Sequence, residues 1–236
     1  MRRLVSVLVL AALVPVAVSA ETRVNTRRET VVAPAPVVQQ PEPQFTITLS
    51  EQDRRDLKRI EDYFNALPPL VARFVQTSQQ VDGSGFEAKG QFKLWRPGRL
   101  RIEYDPPNKD FVVADGTMIY QWDSQMHQQS QTQIEDTLAG FILKRNLNFS
   151  GDDVTATKVE HPTPRQIQVT LRSVKDPGAG ELTLVLEDVP MKLAGWIVKD
   201  AQGLLTSVVL SHVETGFEPK REDFVFRNPE FGGQRR

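Results

Sequence analysis

Between Gly90 and Tyr104 the side chains alternate with a period of two, and the alternation resumes after a turn. In Gly90–Arg96 (GQFKLWR), Phe92, Leu94 and Arg96 share one strand face, while Gln91, Lys93 and Trp95 take the other. Pro97-Gly98 turns the chain, after which Leu100, Ile102 and Tyr104 alternate with Arg99, Arg101 and Glu103. Such a hairpin demands a sheet with one apolar side. It also sets Arg96 at the end of a greasy row. An unpaired guanidinium there is costly, so Arg96 either has a partner or snorkels to water.

The N-terminus points to export. Met1-Arg2-Arg3 is a basic start, Leu4–Val18 is apolar, and Val18-Ser19-Ala20 ends in small residues suited to cleavage. Residues 1–20 therefore read as a cleavable signal peptide, too short for a membrane span of about 20 apolar residues. The sequence has no cysteine. An exported chain without cysteine folds by core burial alone and has no site for lipid attachment at the cleavage point. The periplasm is the expected compartment.

Charge is nearly balanced, with 29 Lys plus Arg against 30 Asp plus Glu. Without Arg2 and Arg3 the balance is 27 against 30, a net charge of −3. No basic block marks the chain as a nucleic-acid binder.

Residues 21–47 form a Pro-rich tail, in which Val31–Phe45 (VVAPAPVVQQPEPQF) favours an extended, solvated spacer. The folded domain spans residues 48–231, and 232–236 is expected to be a disordered end. Ser50 and Asp53 form a capping-box start, and Leu57, Ile60, Phe64 and Leu67 recur at helical spacing until Pro68-Pro69. Strands then dominate. Phe74–Ser78 leads through a turn at Asp82-Gly83-Ser84-Gly85 to the strand that ends at Arg96, and Asp105-Pro106-Pro107-Asn108 breaks the chain again. Asp110–Ala114 and Thr117–Asp123 flank a hairpin turn at Asp115-Gly116.

In Thr132–Leu143, Ile134, Leu138, Phe141 and Ile142 form one helical stripe, with a break expected at Gly140. Strands follow at Val154–Glu160, Arg165–Arg172, Glu181–Leu186, Leu193–Asp200, Leu204–Thr215 and Asp223–Arg227, with Ala201-Gln202-Gly203 joining two of them. The fold class is mainly β with a few helices: one antiparallel sheet, curled or closed into a barrel, with the helices covering its concave side.

Catalytic chemistry finds no support. His127, His161 and His212 are isolated, which does not suit zinc. Gly83-Ser84-Gly85 is a turn rather than a nucleophile elbow, and Asp152-Asp153 reads as a surface turn. No phosphate loop or dinucleotide fingerprint is present, so neither enzyme activity nor a cofactor is expected. Apolar surface with few polar fixtures suits a binding protein. Phe74, Phe92, Tyr104, Phe111, Tyr120, Trp122 and Trp196 recur across the strands, and a ligand cavity would need only a few of them.

An ordered set of short motifs carries a resemblance. Phe74-Val75-Gln76, Gly90-Gln91-Phe92, Leu94-Trp95-Arg96-Pro97, Tyr104-Asp105-Pro106-Pro107, Asp115-Gly116 and Tyr120, with the late Phe224-Val225-Phe226 and Pro229, resemble the LolA family of periplasmic lipoprotein carriers. The match spans roughly residues 50–231 and is weakest from Val154 to Leu186. It implies a half-open barrel with a helical lid over an apolar cavity. It implies Arg96 as a lid latch bonded to lid-helix backbone, with Thr132–Leu143 in the lid. Candidate residues of the acyl cavity are Phe74, Phe92, Leu94, Ile102, Tyr104, Phe111, Val113, Tyr120, Trp122, Leu138, Phe141 and Ile142.

The implied partners are lipoproteins, an inner-membrane ABC transporter complex that releases them, and an outer-membrane receptor, with the carrier acting as a monomer. A periplasmic sensor or scaffold of the same fold, binding an envelope protein instead of lipid, is the alternative.

Overall fold

The computed structural model describes residues 49–79, 85–151 and 153–230. The expected signal peptide, the expected Pro-rich tail, the expected turn at Asp82-Gly83-Ser84, Asp152 and residues 232–236 lie outside the described residues.

Helix α1 (Glu51–Ala66) starts on a complete capping box: the Ser50 hydroxyl accepts from the Asp53 amide, and the Asp53 carboxylate accepts from the Ser50 amide. Leu57, Ile60 and Phe64 line its buried stripe. Eleven antiparallel strands follow: β1 (Leu70–Gln79), β2 (Gly85–Trp95), β3 (Arg99–Tyr104), β4 (Phe111–Asp115), β5 (Met118–Asp123), β6 (Gln128–Gln133), β7 (Val154–Thr163), β8 (Gln166–Ser173), β9 (Gly180–Glu187), β10 (Lys192–Asp200) and β11 (Leu205–Thr215). They form one sheet in the order β6-β5-β4-β3-β2-β1-β11-β10-β9-β8-β7, so the chain's first and last strands meet at its centre and no pair closes the ring.

Register assigns the faces. Leu94 opposes Leu70 and Leu100, while Phe92 opposes Ala72 and Ile102. Beyond them Leu100 meets Ala114 and Ile102 meets Val112. On the other wing, Trp196 opposes Val208 and Leu184, and Leu184 opposes Val169. All these side chains belong to one buried cluster that also holds the α1 stripe. The rings of Phe92 and Trp196, on strands separated by two others, meet with centroids 5.1 Å apart. The sheet is therefore strongly curled around this concave side.

Two expected elements differ. The Thr132–Leu143 stripe is not one helix. Thr132 and Gln133 end β6, Ile134–Asp136 form a 3-10 turn, and only Leu138–Leu143 is α-helical, here α2. The interruption falls at Thr137, whose hydroxyl caps α2 by accepting from the Gly140 amide. Gly140 itself sits inside the helix. The polar β6 sequence, Gln128–Gln133, carries no hydrophobic alternation that could have announced a strand.

The second difference is the expected strand Asp223–Arg227. Arg221–Phe224 is a 3-10 turn and the chain beyond it joins no ladder. The two-residue period is nonetheless used. Phe224 is buried against Trp95, and Phe226 stacks on Tyr120 and Phe111, while Val225 between them is exposed. Glu230 then reaches His127. The segment thus crosses β2 to β5 as a strap on the convex face.

Gly90 opposes Phe74 on β1 and Tyr104 on β3, and the Phe74 ring lies where a Gly90 side chain would go. An added Cβ would stand 2.6 Å from that ring and 2.0 Å from the Glu103 carbonyl oxygen. Gly90→Ala is expected to cost about 1–3 kcal/mol, measured as a lower urea midpoint with an unchanged slope. An unchanged midpoint would show that the strands spread freely at this point.

Candidate functional site

The site is built where the β2–β3 turn meets the ends of both helices. Leu67 caps α1, its amide donating to the Phe64 carbonyl at 3.2 Å. That carbonyl and its neighbours carry the negative end of the helix dipole. Helix α2 ends at Lys144, whose own carbonyl lies outside the helical ladder. The guanidinium of Arg96 reaches both ends: Nη1 donates to the Phe64 carbonyl and Nη2 to the Lys144 carbonyl. The next turn residue continues the junction, since the Gly98 amide donates to the Leu143 carbonyl at 2.8 Å. Arg96 also lies over the Phe64 ring, 5.9 Å from its centroid.

One cation therefore bonds a carbonyl at the C-terminal end of each of two helices, where the dipole favours it. Burial lowers the guanidinium to about 10, which leaves it charged at neutral pH. The resemblance implies lid-helix backbone as the partner of Arg96. The structure places the guanidinium on Phe64 of α1 and on Lys144, the residue just past α2.

Other side chains of α1 hold the same junction. Asn65 accepts from the Leu147 amide at 2.8 Å and donates to the Leu147 carbonyl at 3.2 Å. Glu61 accepts from the Phe149 amide at 2.7 Å. On its opposite side the Tyr63 hydroxyl accepts from the Leu193 amide at 2.9 Å. Buried Asp56 binds Gln52, Arg59 and His161, and Arg59 continues to Asp188. Nothing in the apolar periodicity of α1 signalled these ties, because they start from polar side chains outside its apolar stripe.

The cavity candidates divide by face. Phe74, Phe92, Leu94, Ile102 and Tyr104 point to the concave side, and Leu138, Phe141 and Ile142 come down on it from α2. Phe111, Val113, Tyr120 and Trp122 do not. Phe111 opposes Glu103, Val113 opposes Arg101, and Tyr120 and Trp122 oppose Val113 and Phe111, so all four stand on the convex face. The strap explains their apolar character, together with Arg101, which packs on Phe111 and donates to the Asp223 carbonyl at 3.2 Å. A groove of about 580 Å³ between strap and sheet is lined by Lys93, Arg101, Glu103 and Glu222 among others, a charged setting unsuited to hydrocarbon.

The histidines are spread over the molecule: His127 pairs with Glu230, His161 with Asp56, and His212 lies beside Ser211. Among the described residues no cluster of His, Asp and Glu could hold a metal, and no helix is long and apolar enough to cross a membrane.

The family profile described as outer membrane lipoprotein carrier protein LolA matches residues 66–227, which takes in Arg96, the sheet, α2 and the strap. The chain belongs to the LolA family. Its similarity to individual LolA proteins is low but extended. An outer-membrane lipoprotein carrier protein of Neisseria meningitidis is 23% identical over 185 residues, covering 78% of this chain and 89% of the relative. One from Alkalilimnicola ehrlichii is 26% identical, covering 77% and 84%. Among solved structures, a LolA superfamily protein from Nitrosomonas europaea is 11% identical with a TM-score of 0.44, covering 72% of this chain and 97% of that one. MucB is 14% identical with a TM-score of 0.40, covering 75% and 64%.

Two measurements test the junction. Asn65→Ala removes both bonds to Leu147, whose side chain is buried, and is expected to cost about 1–3 kcal/mol, read as faster amide exchange confined to residues 144–149. Exchange that rises equally everywhere would mean that Asn65 does not tie this segment. Close by, Lys144 and Lys175 bind Asp153 and hold its carboxyl down to about 2. A lowered folded-state value contributes stability that is full above the unfolded value and is lost progressively as pH falls from there through about 2. Carbon-detected titration should place Asp153 there, and Lys144→Met should move it toward the ordinary aspartate range. An ordinary midpoint in the unmutated protein would rule this clamp out.

Proposed function

We propose that the protein is a periplasmic chaperone that takes the acyl chains of lipoproteins released from the inner membrane and carries them to an outer-membrane receptor. The observation that supports this most is the Arg96 junction: a single charged group fastens two helices over an apolar, concave sheet in a chain of the LolA family.

The physical demand is plain. Exposing a chain of about 15 methylenes to water costs roughly 0.8 kcal/mol per methylene, on the order of 12 kcal/mol. A carrier must offset that cost and still release its cargo. Here the closed state buries the α1 and α2 stripes in the place a ligand would take, so lid and cargo compete for the same surface. The two Arg96 bonds set the balance in that competition. An ABC transporter complex in the inner membrane would load the carrier, and the receptor would accept the lipid when the lid closes again. No covalent step is involved.

Gentle purification of the exported protein should recover triacylated lipoprotein with it. Recovery of a specific envelope protein without lipid, and no response to a fatty-acyl dye, would favour the sensor or scaffold reading instead. Arg96→Leu should weaken the closed state by about 1.5–3 kcal/mol. Bound lipid would then be released to a receptor roughly ten- to a hundredfold more slowly. Unaltered transfer by the variant would remove the latch from the mechanism.

A further inference from the structure

The concave side is not uniformly apolar. At the Arg96 end its rows are Leu94, Leu70 and Leu100, then Phe92, Ala72 and Ile102. From Leu70 to Gln76 strand β1 rises about 20 Å, and at the far end the character changes. Gln76 is fully buried, and Ser78 and Thr206 nearly so. The Tyr104 hydroxyl donates to Gln76 Oε1 at 2.8 Å, Gln76 Nε2 lies 3.5 Å from Ser78 Oγ, and Ser78 Oγ bonds Thr206 Oγ1 at 3.0 Å. These groups satisfy one another.

Trp196 lies in the same cross-strand row. It opposes Val208, and Val208 opposes Gln76. Its side chain points to the concave side and touches Phe92, with only 3% of the residue exposed. Its indole Nε1 is buried and has no hydrogen-bond acceptor among the described residues. An indole nitrogen can only donate, and a buried donor left unmatched is costly, so such a group calls for a reason. Phenylalanine would fill the core there without that cost.

We propose that Trp196 is the polar fixture of the acyl site, donating its indole N–H to the carbonyl oxygen at the head of an acyl chain. This rests on the carrier reading and adds to it a preference: the site recognises an acyl group, not hydrocarbon alone. The hydrocarbon tail lies along the apolar rows beneath the lid, with its carbonyl at Trp196. An ester of a diacylglyceryl group and an N-terminal amide share the required acceptor.

Three synthetic lipopeptides test it: a dipalmitoyl ester, its dialkyl ether counterpart, and an N-palmitoyl peptide. Binding is measured to the unmutated protein and to Trp196→Phe, together with the indole proton–nitrogen resonance of Trp196 in the unmutated protein. At least one carbonyl lipid should bind about three- to tenfold tighter than the ether, should move the Trp196 resonance downfield, and should lose that advantage in the variant. Whether ester or amide does so identifies the source of the carbonyl. Equal binding of all three with an unmoved indole resonance overturns the assignment while leaving the carrier reading intact. If none binds, the carrier reading falls and this falls with it.

Discussion

Two helices end beneath the same turn, and one guanidinium bonds a carbonyl at the end of each. The rest of the lid is arranged around that shared contact. Asn65 and Glu61 fix the chain after α2 to α1, so both helix ends arrive at Arg96 together. The Pro97-Gly98 turn positions the arginine, and Gly98 binds the end of α2 directly. Because carbonyl oxygens carry no charge to titrate, the junction is insensitive to pH over the range in which Arg96 stays protonated.

The sheet has two working faces. The concave one packs the helices into a single core. The convex one is covered between β2 and β5 by the strap, with Phe224 and Phe226 as its anchors. Since the family profile ends at residue 227, the strap's anchors belong to the shared domain.

Much of this was legible in the residues. The capping box at Ser50, the parity that put Arg96 beside Phe92 and Leu94, and the turn at Asp115-Gly116 are local, and local chemistry decides them. The Gly116 turn, with φ +115°, needed a residue without Cβ. What failed was face assignment beyond the Asp105–Asn108 break. In Phe111–Asp115 both faces are apolar, and only pairing with Glu103 and Arg101 reveals which is outside. The α2 stripe misled for a related reason. Ile134 and Leu138 are both buried whether or not the helix runs between them, and the hydroxyl of Thr137 chose the interrupted form. The partners of Arg96 were hidden because backbone carbonyls have no sequence signature.

The strap also makes the shell uneven. The wing that bears Arg96 is held from inside by the core and from outside by Phe224 and Phe226. On β8 and β9 the outward side chains include Gln168, Thr170, Arg172, Glu181, Thr183 and Val185, half-exposed, and among the described residues no strap crosses them. A double-thickness wall resists bending and a single-thickness wall yields. On the carrier reading proposed above, opening the interior would deform the β7–β10 side, while the turn that presents Arg96 would keep its place, ready to be rejoined.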